Sequence, residues 1–153
     1  MILNKGKMLP ALLAIVCLVG LAACKPKEAV GEPEASELKG IAVGNEKIKQ
    51  HVFLQCMLDD DYYPKHLVAK GQAILQRLCE AIEQQKPADL GSLYTLTQAS
   101  TDEFNELAGE FVEANSEIET MARDCIGEDF VFIATAYDFE NADAEELIAT
   151  RDW

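Results

Sequence analysis

From Asn45 onward the apolar residues of this chain recur every three or four positions, and no segment sustains the alternation of a strand. That period restricts the fold to packed helices. Ile48, Val52, Phe53, Cys56 and Met57 predict a first short helix, broken by the run Asp59-Asp60-Asp61-Tyr62-Tyr63-Pro64. Pro64 suits the first turn of a second helix, where its missing N–H costs nothing. That helix carries Leu67, Ile74, Leu75, Leu78 and Ile82 on one face and ends near Gln85, before Pro87. Gly71 lies within it and leaves room for another helix to come close. Leu90, Leu93, Tyr94 and Leu96 predict a short third helix.

Three later segments carry the spacing of a capping box, in which the first and fourth residues satisfy each other's free backbone donors. Ser100-Thr101-Asp102-Glu103 is expected to open a helix burying Phe104, Leu107, Ala108 and Phe111. Ser116-Glu117-Ile118-Glu119 is expected to open one with Ile118, Met121, Ala122 and Cys125, running on through Phe130, Ile133 and Tyr137 unless Gly127 interrupts it. Asp143-Ala144-Glu145-Glu146 precedes Leu147 and Ile148. Residues 130–134 are the one plausible strand, yet helical spacing continues across them. The expected fold is an all-α small bundle of five or six helices over residues 45–153.

The front of the chain follows different rules. Lys5 and Lys7 precede an almost unbroken apolar stretch over residues 8–20, the pattern of an export signal. The run of about 16 apolar residues is short of the roughly 20 that span a bilayer. Leu21-Ala22-Ala23-Cys24 resembles the lipobox of bacterial lipoproteins. That resemblance implies recognition of Leu21, Ala22 and Ala23 by signal peptidase II and removal of residues 1–23. It also implies a diacylglyceryl group on the Cys24 thiol and an acyl chain on its new amino group. Two or three chains hold stably where one holds weakly, since each buried methylene contributes about 0.8 kcal/mol. Lys25 stands where the family's inner-membrane retention signal has Asp, which implies the outer membrane, facing the periplasm, in an organism with two membranes. Residues 24–44 hold Pro26, Gly31, Pro33, Gly40 and Gly44 without sustained periodicity, and read as a linker with a root-mean-square reach of roughly 25 Å.

Charge narrows the partners. The chain has 27 acidic against 13 basic side chains and a formal net charge of −14, and two of the bases, Lys5 and Lys7, lie in the signal. Such a surface repels nucleic acid and anionic head groups, and favours solubility or a cationic partner. Glu103, Glu106, Glu110, Glu113 and Glu117 recur at spacings of three and four opposite Phe104, Leu107 and Phe111. No base interleaves them, so they form a candidate docking stripe beside the plainer reading of a solvated face.

Recognisable catalytic patterns are few. His51 and His66 stand in no H-E-x-x-H, no C-x-x-C exists, and no serine sits in a G-x-S-x-G elbow. Asp59, Asp60 and Asp61 lack the alternation, central glycine and distal Glu of a calcium loop. Both histidines read as partly exposed helix residues. After Cys17 and Cys24, the cysteines Cys56, Cys79 and Cys125 remain. Cys79 and Cys125 sit on apolar faces, either as buried thiols or as a disulfide with each other. Trp153 reads as a packing plug.

Residues 57–153 resemble an uncharacterised family of small bacterial proteins, domain of unknown function 5713. Tyr62-Tyr63-Pro64-Lys65, Lys70-Gly71, Ser116-Glu117-Ile118-Glu119-Thr120 and the tail Glu145-Glu146-Leu147-Ile148-Ala149-Thr150-Arg151-Asp152-Trp153 carry the likeness. It implies no activity, ligand or catalytic residue. The expectation is a lipid-tethered interaction module of the cell envelope, in one version an inhibitor or immunity-like protein covering a cationic site. It needs no cofactor beyond the lipid on Cys24. The alternative is an enzyme or metal-dependent protein using His51, His66 and the three aspartates.

Overall fold

The computed structural model describes residues 43–153. The signal, Cys24 and nearly all of the linker expectation lie outside those residues. The described part is all-α, with no strand among its residues. Its elements are α1 (Glu46–Gln50), α2 (Gln55–Leu58), α3 (Lys65–Gln85), α4 (Leu90–Glu113), α5 (Thr120–Ala136) and α6 (Ala144–Leu147).

The long helices α3 and α4 form an antiparallel pair. Lys70 reaches Glu110 and Arg77 reaches Glu103, so one helix ascends as the other descends. The pair closes on Gly71. A Cβ built there would stand 2.7 Å from Leu54 Cδ1 and 3.1 Å from Phe104 Cε1, so only a glycine admits both neighbours. The helix α5 receives α1, α2, α3 and α6 around the core residues Ile126, Phe130 and Ile133, each fully shielded from solvent. Residues 130–134 are thus helical, and Gly127 leaves α5 unbroken.

Helix ends explain where periodicity misleads. The segment at Leu90 and the one after Ser100 are a single helix of 24 residues. Its capping box is at Asp89, whose carboxylate accepts from Ser92 N–H while the Ser92 hydroxyl accepts from Asp89 N–H. Ser100 and Thr101 are buried mid-helix, and the Thr101 hydroxyl donates to Thr97 O at 3.0 Å. A hydroxyl returned to the preceding turn satisfies itself there, so Thr101, with Ser100 beside it, extends the buried face instead of starting a helix.

The box at Ser116 fails differently. Asn115 turns left-handed, with Asn115 N–H donating to Val112 O and Ser116 N–H to Phe111 O, a Schellman ending of α4. Ser116 therefore closes one helix, and α5 opens at Thr120 with Glu119 as its N-cap. The same ending stops α5, where Asp138 is left-handed and Phe139 N–H reaches Ala134 O. Asp143 does cap α6, accepting from Glu145 and Glu146 N–H, but its own N–H donates to the Tyr94 hydroxyl, so the reciprocal half of the box is absent.

The first helix is also two pieces. His51 is extended and Leu54 is left-handed (φ 54°), which separates α1 from α2 and leaves Val52 51% exposed. The folded part begins before Asn45, because Val43 is buried and Gly44 N–H bonds Glu83. Residues 43–58 form a strap laid over α3 and α5.

At the other end the tail clasps α4. Gln98 and Asn105 donate to the carbonyls of Glu146 and Thr150, Asp152 N–H donates to Asn105 Oδ1, and Trp153 meets Phe104 edge to face. Trp153 is the packing plug its sequence position suggested.

Candidate functional site

The strap is fastened by two carboxylates and a disulfide. Glu83, near the C-terminal end of α3, accepts from Gly44 N–H (2.7 and 2.9 Å), Asn45 N–H (2.9 Å) and the Tyr137 hydroxyl (2.9 Å). Asn45 Nδ2 donates in turn to Ala136 O at 2.7 Å. Burial pushes the Glu83 carboxyl up, but these donors and nearby Lys49 outweigh it and hold the group below the ordinary carboxylate range. Burial first, and the same contact second, raise the Tyr137 hydroxyl far above its ordinary value.

Asp129 is the second fastening. It faces inward from α5, with its side chain 8% exposed. Oδ1 lies 2.6 Å from His51 Nε2, and Oδ2 accepts from Leu54 N–H at 2.7 Å. Burial raises its proton affinity above that of an ordinary aspartate, although both bonds oppose the rise. The His51 ring stacks on Phe132 at 3.9 Å and meets the edge of Phe53 at 5.0 Å. One carboxylate thus bridges the residue where α1 ends and the left-handed residue where α2 begins. His51 also lines a shallow cleft of about 530 Å³ with Gly44, Ile48, Lys49, Phe53 and Gln76.

The disulfide joins Cys56 of α2 to Cys125 of α5, with Cα atoms 6.4 Å apart. This corrects both readings of Cys125, as a buried free thiol and as a partner of Cys79. Both of those cysteines sit on buried faces, but α2 packs directly on α5 and carries Cys56 to Cys125. Cys79 is a free buried thiol on α3, and burial pushes it up to about 12.

The other candidates disperse. Asp59 accepts from Gln55 Nε2, Asp60 accepts from Tyr62 N–H, and Asp61 lies 3.9 Å from Lys65 Nζ, so the three acids shape one turn. His66 is exposed on the first turn of α3, and His51 turns to Asp129 instead. No group of three or more His, Cys, Asp or Glu able to hold a metal occurs among the described residues. Tyr63, fully buried, donates to Glu119 at 2.7 Å, and burial first and that carboxylate second raise its hydroxyl above the ordinary value.

The acidic stripe divides. Glu103 pairs with Arg77 and Glu110 with Lys70, so the bases missing from α4 arrive from α3. Glu106 and Glu113 stay exposed and make no ion pair among the described residues, and Glu117 lies past the end of α4. Glu83 and Asp129 were not foreseen. The one signal for Asp129 is a charged residue at core spacing, four positions after Cys125 and four before Ile133.

The architecture defines a class: a small all-α bundle whose leading strap is held by buried or half-buried carboxylates. Residues 47–153 match the model of the family described as "Family of unknown function (DUF5713)", and the chain belongs to that family. Neither a curated protein nor a solved structure matches it.

Proposed function

We propose that this chain is a lipid-anchored protein of the cell envelope whose domain docks a cationic partner without catalysing a reaction. The observation that carries the docking half is the outer face of α4. There Asp102, Glu106 and Glu113 are exposed, while Lys70 and Arg77 of α3 are taken up by Glu110 and Glu103. A net charge of −14 steers cationic surfaces toward such a face. In the inhibitor or immunity-like form, the face covers a basic site on another envelope protein.

The anchor half rests on Lys5, Lys7, the apolar residues 8–20 and Leu21-Ala22-Ala23-Cys24. With Lys25 after the cysteine, the reading places the protein on the outer membrane, facing the periplasm, where two membranes exist. Its lipid is the diacylglycerol and N-acyl chain of Cys24, and the domain needs no other cofactor and no nucleic acid.

Cross-linking in cells, followed by measurement of affinity for the captured partner, tests both halves. The wild-type chain is expected to gain the mass of the acyl groups and sediment with membranes, and Cys24→Ser to lose both properties. Glu106→Lys with Glu113→Lys spares both α3–α4 ion pairs and is expected to weaken partner binding at least about tenfold, an effect that shrinks as salt screens the charges. Binding indifferent to that double reversal and to salt would remove α4 from the reading.

A further inference from the structure

We propose that the Cys56–Cys125 bridge is redox-active: the folded domain exchanges it with an external dithiol, Cys56 taking the attack and the Asp129–His51 pair passing the proton. The proposal is independent of the docking reading.

The two sulfurs are unequally placed. Cys56 is partly exposed on the strap, whereas Cys125 is 8% exposed on α5. An incoming thiolate therefore reaches Cys56, and Cys125 becomes the leaving group. A thiolate released in an apolar interior is unfavourable unless a proton meets it. Asp129 follows Cys125 by one helical turn, a spacing that sets side chains on the same face with Cβ atoms about 5–6 Å apart. It is bonded to His51, whose side chain is 27% exposed and connects the buried carboxyl with solvent. The burial that raises the proton affinity of Asp129 suits it to carry a proton closer to neutral pH. The other titratable groups that share its field are Glu128, the preceding residue, and Cys79 on α3.

The chemistry balances without any further reagent. One thiolate of the dithiol forms a bond to Cys56 Sγ as the Cys56–Cys125 bond breaks. The electron pair goes to Cys125 Sγ, which takes a proton through Asp129 and His51. The second thiolate of the dithiol then attacks its partner sulfur in the mixed disulfide and releases Cys56, which is protonated from solvent. The dithiol leaves as a disulfide, and two electrons and two protons rest on Cys56 and Cys125. The reverse reaction oxidises the pair with an external disulfide.

Two features keep this exchange within the folded state. Cys79, the third thiol, is buried and held protonated, so it does not reshuffle the bridge. The strap is also fastened independently, through Glu83, Asp129 and the buried side chains of Phe53, Leu54 and Met57. The S–S bond is therefore one of several fastenings of the strap.

The test uses the full chain, dithiothreitol as the dithiol, alkylation and mass analysis to count thiols, and circular dichroism to follow the fold. Expected are reduction of Cys56 and Cys125 at least about tenfold faster than global unfolding, unchanged helicity, and reoxidation by oxidised dithiothreitol. Asp129→Asn is expected to slow exchange about tenfold or more and to flatten its pH profile, with His51→Gln slowing it less. His51→Gln keeps the Leu54–Asp129 bond and serves where Asp129→Asn folds poorly. Reduction no faster than unfolding, or both variants exchanging with the rate and pH profile of the wild type, would overturn the proposal.

Discussion

Glu83 and Asp129 do similar work with opposite dependence on pH. Glu83 is held below the ordinary carboxylate value, so its contribution is full above the unfolded value of about 4.5 and is lost as pH falls through the lower folded value. Asp129 is held above its ordinary value, so its ionisation costs stability, and that cost is relieved as pH falls through the folded value. Glu83→Ala is expected to lose about 1–2 kcal/mol at neutral pH, after allowance for solvent screening. Wild type and variant should converge in acid, which thermal denaturation across roughly pH 3–7 will read. The clamping role of neither carboxylate was legible in the sequence, because their partners lie 38 to 78 positions away. Local spacing announces a cap, but it does not announce a clamp formed by tertiary contact. The cysteines carry the same lesson. Apolar spacing marked Cys79 and Cys125 as buried, and they are, but pairing follows which helix lies on which.

At the scale of elements, the long helices were legible and their ends were not. Pro64 and Pro87 bracket α3 because proline restricts what can precede or continue a helix, and the structure begins and ends α3 beside them. Within α4 the hydroxyl residues Ser100 and Thr101 resemble a helix start but occupy the buried face, an ambiguity that composition alone does not resolve. Gly71 was legible as a site of close approach, since glycine in a helix interior sacrifices propensity and implies a packing reason. Gly71→Ala gains up to about 1 kcal/mol of helix propensity but drives a methyl into Leu54 and Phe104, an overpacking that costs about 1–3 kcal/mol. Leu54 is buried and fixed in its left-handed conformation by Asp129, so it gives little ground. Net destabilisation in urea is expected; a stabilised variant would show that the α3–α4 contact relaxes freely.

For the whole molecule, the all-α class follows from the apolar period, and the charge follows from composition. An excess of 27 acids over 13 bases loads the folded state with self-repulsion, of which the ion pairs at Lys70, Arg77 and Arg151 relieve only a part. Moderate salt is therefore expected to raise the melting temperature, because screening weakens the many repulsions more than the few exposed attractions. A melting temperature that falls steadily with added sodium chloride would instead assign the ion pairs the larger share. The sequence showed the stripe on α4 but not its division, because the neutralising bases belong to a helix 26 to 40 positions earlier.

The strap also has a mechanical meaning. A pull on the chain ahead of Val43 arrives first at the hydrogen bonds between Gly44, Asn45 and Glu83, and next at the contacts of His51 and Leu54 with Asp129. Peeling that progresses further stops at Cys56, where a covalent link hands the load to α5. While that link is intact, traction can strip the leading segment yet leave the remaining helices unstretched, and cutting the link removes the stop.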